Sequence, residues 1–185
     1  MLSRYGFIVL SAAALASLLI APASTVASMD NSAAEPLAIV GDRIVGGVRV
    51  LSKLARATEV FGTPDTTRRL NDYDCRAVWR STGLTLEFLD LSGAADPCRV
   101  GGMVTATATS TQWRTRTGLR VGDRVARIRR LYRHARHVVG APYPGWWLIT
   151  RRTCATTGSQ AYPGLRAKTS ANKVSALVVV VAACE

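Results

Sequence analysis

The sequence lacks the motifs that mark familiar enzymes. It contains no GxSxG, HExxH or P-loop pattern, so it offers no recognisable nucleophile elbow, zinc-protease helix or phosphate-binding loop. Histidine is scarce: His134 and His137 form an HxxH pair that could supply two zinc ligands from a helix, but no third ligand accompanies them. Asp72 and Asp74 lie close together, a spacing more typical of a polar turn than of acid–base catalysis. The sequence therefore predicts no catalytic residue, metal or cofactor, and an enzyme is the third choice of function.

Acidic residues are nearly absent from the second half of the chain. Between Trp113 and Ala183 the single acid is Asp123, and the whole chain has 24 Lys plus Arg against 12 Asp plus Glu, a net charge of +12. Such a charge attracts anionic partners, although a solvated helix face is the alternative interpretation. Nucleic acid is the least favoured partner because no base-stacking motif is present. The basic residues crowd around one predicted helix: Arg114, Arg116, Arg120, Arg124, Arg127, Arg129, Arg130, Arg133 and Arg136.

Long apolar runs are absent beyond the N-terminus. Residues 1–28 have the pattern of a secretory signal peptide: Arg4, then the apolar core Phe7–Ala21, then small residues. The core is shorter than the roughly 20 apolar residues that a membrane-spanning helix requires. We therefore predict cleavage, an extracellular location and no transmembrane anchor in the mature chain. A flexible N-terminal segment is predicted over residues 29–41.

The chain has four cysteines, Cys75, Cys98, Cys154 and Cys184. The sequence has no CxxC pair, which argues against a zinc site. An even number of cysteines in an exported chain indicates disulfide bonds instead, and three pairings are possible.

Two segments of the chain, Gly47–Gly62 and Gly118–Arg133, align without a gap 71 residues apart. Each predicts an amphipathic helix, because apolar residues recur on one helical face. Ser52 and Asp123 occupy equivalent positions and are predicted to be the N-caps, while Gly62 is predicted to end the first helix. The apolar residues are Val50, Leu54, Ala57 and Phe61 in the first copy and Val121, Val125, Ile128 and Tyr132 in the second.

Strands are predicted between and after these helices from alternating or continuous apolar patterns. We expect an α+β fold with two tandem helix–strand repeats, residues 42–110 and 111–185, forming an antiparallel sheet with helices packed on one face. If each repeat closes its own loop, the pairings are Cys75–Cys98 and Cys154–Cys184. The predicted strands are Cys75–Trp79, Leu84–Phe88, Met103–Thr109, Trp146–Thr150 and Val174–Ala183.

The glycine, the helix and the following Val60-Phe61-Gly62-Thr63-Pro64 resemble the signature of the BamE-like (SmpA/OmlA) lipoproteins. Two such units in tandem, with one cysteine pair each, resemble the architecture of β-lactamase inhibitory proteins. The resemblance implies an antiparallel sheet whose open face can hold a protein partner. It implies no particular inhibitory residue, and the second copy has Arg133 where the motif has glycine.

Tryptophan and arginine are enriched at binding hot spots, so they are the candidate binding residues. Because adjacent residues of a strand face opposite ways, one of Trp146 and Trp147 should lie in the core and the other on the open face. We expect a secreted, non-catalytic binding module, with an envelope-associated protein that binds anionic cell-wall polymer as the alternative. The candidate residues are Trp79, Trp146 and Trp147 on the sheet, which are equally compatible with a core role, and Arg124, Arg127 and Arg130 on the helix.

Overall fold

The computed structural model describes residues 37–90, 92–93, 96–140, 142–152 and 160–181. The predicted signal peptide and the predicted Cys154–Cys184 pair lie outside these residues. Within them the fold is α+β, as expected, but strands dominate and the helices are short. Among the described residues, no helix is long and apolar enough to cross a membrane.

The strands divide into a small sheet and a large one. The small sheet contains β1 (Ala38–Val40), β2 (Ile44–Val45), β3 (Val48–Arg49) and β8 (Arg114–Thr115). The helices are α1 (Leu54–Phe61), α2 (Pro97–Val100) and α3 (Val125–Leu131). The large sheet contains β4 (Thr66–Arg69), β5 (Asp74–Trp79), β6 (Leu84–Leu89), β7 (Gly102–Ala108), β9 (Arg136–Val138), β10 (Gly145–Arg152), β11 (Ala161–Ser170) and β12 (Lys173–Val180).

The large sheet is continuous, with the order β4-β5-β6-β7-β12-β11-β10-β9 and antiparallel neighbours throughout. The strands predicted from alternation are confirmed as β5, β6, β7, β10 and β12. Alternation sends every second side chain to a core face, where Leu84, Leu86 and Phe88 of β6 are fully buried. We call the opposite side of this sheet the open face.

The small sheet was not predicted. Its β1 pairs in parallel with β8, which lies more than 70 residues later in the chain. The prediction of a flexible segment over residues 29–41 is wrong at its end, because Ala38–Val40 is a strand and Ile39 is buried in the core. Burial of this apolar residue stabilises an ordered strand where the preceding polar sequence suggested none.

Both long helices pack on the core face of the large sheet. Ala57 of α1 and Ile128 of α3 are fully buried in the same apolar cluster. Gly62 ends α1 as predicted, with a positive φ and its N–H bonded to the Thr58 carbonyl. The two helices therefore occupy one side of the sheet and leave the open face uncovered by helix.

The predicted N-caps are wrong. The cap positions are Lys53 and Arg124, and neither side chain bonds to the helix. The Asp123 carboxylate instead accepts the Arg120 backbone N–H at 2.7 Å and pairs with Arg127 at 3.3 Å. A short acidic side chain readily bonds to nearby backbone in a turn, so it is used before the helix begins.

The predicted disulfide between Cys75 and Cys98 is present, with an S–S distance of 2.05 Å. It joins β5 to α2. This helix has four residues, too few for independent stability, so the covalent link holds it against the sheet.

Elements of the two halves recur 71 positions apart. Leu54 and Val125 each begin a helix, and Gly47 and Gly118, just before those helices, both have a positive φ. In the centre of the large sheet β7 pairs with β12 so that Thr107 lies opposite Val178, which is 71 residues away. The strand order therefore runs inward and then outward about this pair.

A buried ion pair connects the small sheet to β10. Asp42, in the β1–β2 turn, is 5% exposed. Its carboxylate accepts Nε and Nη2 of Arg151 at 2.6 and 2.9 Å. This bidentate bond lowers the pKa of Asp42, and it outweighs the opposing effect of burial.

Candidate functional site

The open face has a polar half and an aromatic half. In the β4–β7 half, Thr85, Thr105 and Thr107 are half-buried, and Arg76 forms an ion pair with Glu87 at 2.8 Å. Short threonine side chains leave the sheet surface flat, since nothing larger is held over it by these strands. A flat, half-exposed sheet surface of this kind suits contact with another protein.

The aromatic half lies over β9–β12. Ala176, Val178 and Val180 of β12 form a second apolar cluster, against which Tyr143 and Tyr162 pack. We define the aromatic–arginine cluster as the group on or beside these strands consisting of Arg136, Tyr143, Trp147, Tyr162 and Arg166.

Cation–π contacts organise this cluster. The Arg136 guanidinium lies 5.4 Å from the Trp147 ring, directly across the β9–β10 pairing. The Arg166 guanidinium lies 5.5 Å from the Tyr143 ring. The Trp147 indole N–H donates to the Tyr143 carbonyl at 2.8 Å. These contacts fix the aromatic rings, and such pre-organised aromatics are typical of binding surfaces.

The predicted division of the adjacent tryptophans is confirmed by the strand register. Trp146 lies opposite Ala167 and joins the core cluster, whereas Trp147 lies opposite Arg166. Trp79 is buried on the core face, where its indole N–H donates to the Gly62 carbonyl. Of the three candidate tryptophans, only Trp147 therefore belongs to the open face, and it too is largely covered.

The candidate arginines of α3 are exposed. Arg124 and Arg130 lie on the solvent side, and Arg127 is exposed while it pairs with Asp123. Arg129 lies 5.3 Å from the Trp146 ring, which anchors its cation beside the edge of the sheet. We call the exposed arginines Arg124, Arg127, Arg129, Arg130 and Arg133 the α3 arginine surface.

The two histidines do not form a helical metal pair, because α3 ends at Leu131. His134 follows the helix, and His137 lies in β9 with its ring 5.0 Å from that of Trp146. Among the described residues no group of three or more potential metal ligands occurs. Asp72 and Asp74 lie at a polar turn, where Asn71 accepts the Asp74 backbone N–H at 2.7 Å.

Sequence reasoning missed Arg166, the most unusual residue of the open face. It is 9% exposed, and burial lowers the pKa of its guanidinium below the usual arginine value. Its Nη1 donates to the Pro144 carbonyl at 3.0 Å, while its Nε has no acceptor. No simple sequence signal marks it, because it was one arginine among many.

No family model, curated protein or solved structure matches the chain. The geometry of the site must therefore carry the functional argument.

Proposed function

We propose that this chain is a secreted, non-catalytic binding module that holds a protein partner on the open face of its large sheet. The observation that carries the proposal is the contrast between the two faces. The core face is covered by α1 and α3, whereas the open face presents half-buried threonines beside the aromatic–arginine cluster. The Cys75–Cys98 disulfide suits an oxidising, extracellular location.

We further propose that the chain consists of two tandem BamE-like repeats. The supporting observations are the equal spacing of the helix starts, the matched glycines before the helices, and the central Thr107–Val178 pair. A tandem origin accounts for a sheet that extends across both halves with a single strand order about its centre.

Substitution at the centre of the open face tests the proposed site. The chain is first used to capture its partner from the native culture medium, and the purified pair is then measured by surface plasmon resonance. We expect Thr107→Tyr to weaken binding about tenfold or more, because a large ring would hold a flat partner away from the sheet. Folding should persist, since tyrosine favours strands.

Ala126→Tyr is the matched control, because Ala126 is exposed on α3, on the other side of the molecule. It should bind the partner as the unsubstituted chain does. If folded Thr107→Tyr binds with unchanged affinity, the open face is not the contact surface.

A second candidate function is envelope association through anionic cell-wall polymer. The α3 arginine surface favours it, because five exposed arginines are accompanied by one acid, Asp123, which pairs with Arg127. Clustered exposed cations attract a polyanion in a manner that salt weakens.

For this alternative, we expect the triple variant Arg124→Gln, Arg127→Gln, Arg130→Gln to lose most of its retention on an anionic wall fraction at low salt. Its stability should change little, because these side chains lie at the surface. A control that replaces the exposed Arg68, Arg80 and Arg99 with glutamine removes the same charge from other surfaces. Equal retention of both variants and the unsubstituted chain would contradict polymer binding through α3.

A further inference from the structure

The inference starts from the incomplete bonding of Arg166. Within the described part of the chain, its guanidinium has one hydrogen-bond acceptor, the Pro144 carbonyl, and no carboxylate partner. Burial of an arginine charge is costly unless the charge is paired, and buried polar groups in native proteins are rarely left without partners. Such a group requires an explanation, and a partner supplied from outside is the one that the surroundings favour.

The surroundings of Arg166 carry charge of one sign. In the strand register, Arg166 and Lys168 occupy alternate positions of β11 on the open face, and Arg136 lies across from Trp147 on the same face. The acid of this face in the β4–β7 half, Glu87, is already paired with Arg76. The β9–β12 half therefore presents three cations with no carboxylate from its described strands.

The recess is also lined by aromatic rings. Tyr143 lies over the guanidinium, and Tyr143 and Tyr162 pack on the β12 apolar cluster. A buried cation surrounded by aromatic contact area has the composition of an interface hot spot rather than of a free solvated surface.

We propose that Arg166 receives the carboxylate of an aspartate or glutamate side chain from an acidic protein partner. This inference rests on the proposed function and names the chemistry of that partner. A carboxylate fits because it accepts two parallel hydrogen bonds from a guanidinium and neutralises its charge. A protruding side chain fits because Arg166 is recessed, so a stiff polymer chain lying across the sheet does not reach it.

The direct test is a titration followed by NMR, with N-acetyl-aspartate methylamide as the probe and N-acetyl-asparagine methylamide as its neutral match. The Arg166 Nε–H and the Trp147 indole N–H report on the recess. We expect saturable shifts of both resonances with the aspartate probe and none with the asparagine probe. Absence of shifts with the aspartate probe, or equal shifts with both, overturns the inference.

Variants separate binding from structure. Arg166→Met keeps the length of the side chain and removes the charge, so it should melt at the same or a higher temperature while the Trp147 shift is lost. Arg166→Lys keeps the charge without the fork and should bind the probe about tenfold more weakly. The control Arg68→Met should leave the titration unchanged. A lower melting temperature of Arg166→Met together with an unchanged Trp147 titration would instead assign Arg166 a purely structural role.

The captured partner distinguishes this inference from the proposed function. Loss of partner binding in both Thr107→Tyr and Arg166→Met supports both. If Thr107→Tyr blocks the partner and Arg166→Met does not, the open face stands and the carboxylate inference fails. If neither variant changes partner binding, both fail.

Discussion

Replacement of Arg151 by methionine is expected to lower the free energy of unfolding by about 3 kcal/mol, the usual cost of leaving a buried charge unpaired. Asp42 would keep its carboxylate in a site that is 5% exposed, with Arg43 the other cation nearby, at 3.9 Å. The room is limited, because a Cβ added at Gly164 would clash with the Asp42 carboxylate, which leaves little space for solvent there. Denaturant unfolding at neutral pH measures the change.

The reciprocal variant should be milder. Asp42→Asn leaves Arg151 unpaired, but the Arg151 side chain is 45% exposed, so water can solvate its charge. We expect a loss of about 1 kcal/mol, typical for an ion pair with one half-exposed partner. Equal losses for the two variants would contradict the view that the buried carboxylate is the vulnerable member.

The pH dependence follows from the lowered pKa of Asp42, whose main cause is the hydrogen bond from Arg151. A depressed carboxylate pKa in the folded state adds stability above the unfolded pKa of about 4, and this stability is lost as pH falls through the lower folded value. The gap between the unsubstituted chain and Arg151→Met should therefore narrow in acid. A gap that stays constant from neutral pH to pH 3 would exclude this linkage.

Removal of the Cys75–Cys98 disulfide by double substitution with alanine is expected to cost about 3 kcal/mol, as the chain-entropy relation gives for a separation of 23 residues. Substitution is preferable to a reducing agent, because Cys154 and Cys184 would respond to the reagent as well. Denaturant unfolding measures the loss.

Hydrogen exchange on the same variant locates the effect. Amides of α2 should lose protection first, because α2 has four residues and is joined to β5 by this bond. The central β7–β12 pair should remain protected. A loss of protection that is uniform along the chain would show that the disulfide stabilises the fold globally rather than by securing α2.

The large sheet was partly predictable from the sequence because its strands alternate or are continuously apolar. β11 was missed because Pro163 and Gly164 interrupt its pattern, and the register against β10 is irregular at this level. The small sheet was missed because β1, β2 and β3 have two or three residues each, too few to show a period. Its parallel β1–β8 pairing depends on contacts that are distant in the chain, which a local pattern does not carry.

The candidate site was predictable in outline. Alternation alone placed Trp147 on the face opposite Trp146, and the apolar stripe of α3 required its other side to carry exposed arginines. The cover that Tyr143 forms over Arg166 was not predictable, because it depends on how the loop before β10 folds back over β11. Exposure separates Arg166 from the other arginines, and exposure is a property of the tertiary structure.

The eight-stranded sheet ends in two edge strands, β4 and β9, and each carries cations. β4 is exposed along its whole length and includes Arg68 and Arg69, while β9 includes the exposed Arg136. Unpaired edges invite strands from other molecules, and charged side chains are a common defence against such growth into aggregates. Joining either edge to a second copy would bring guanidinium groups together. Any polyanion that neutralises these arginines would weaken that defence, so crowding on a charged matrix and resistance to edge-to-edge assembly oppose each other in this chain.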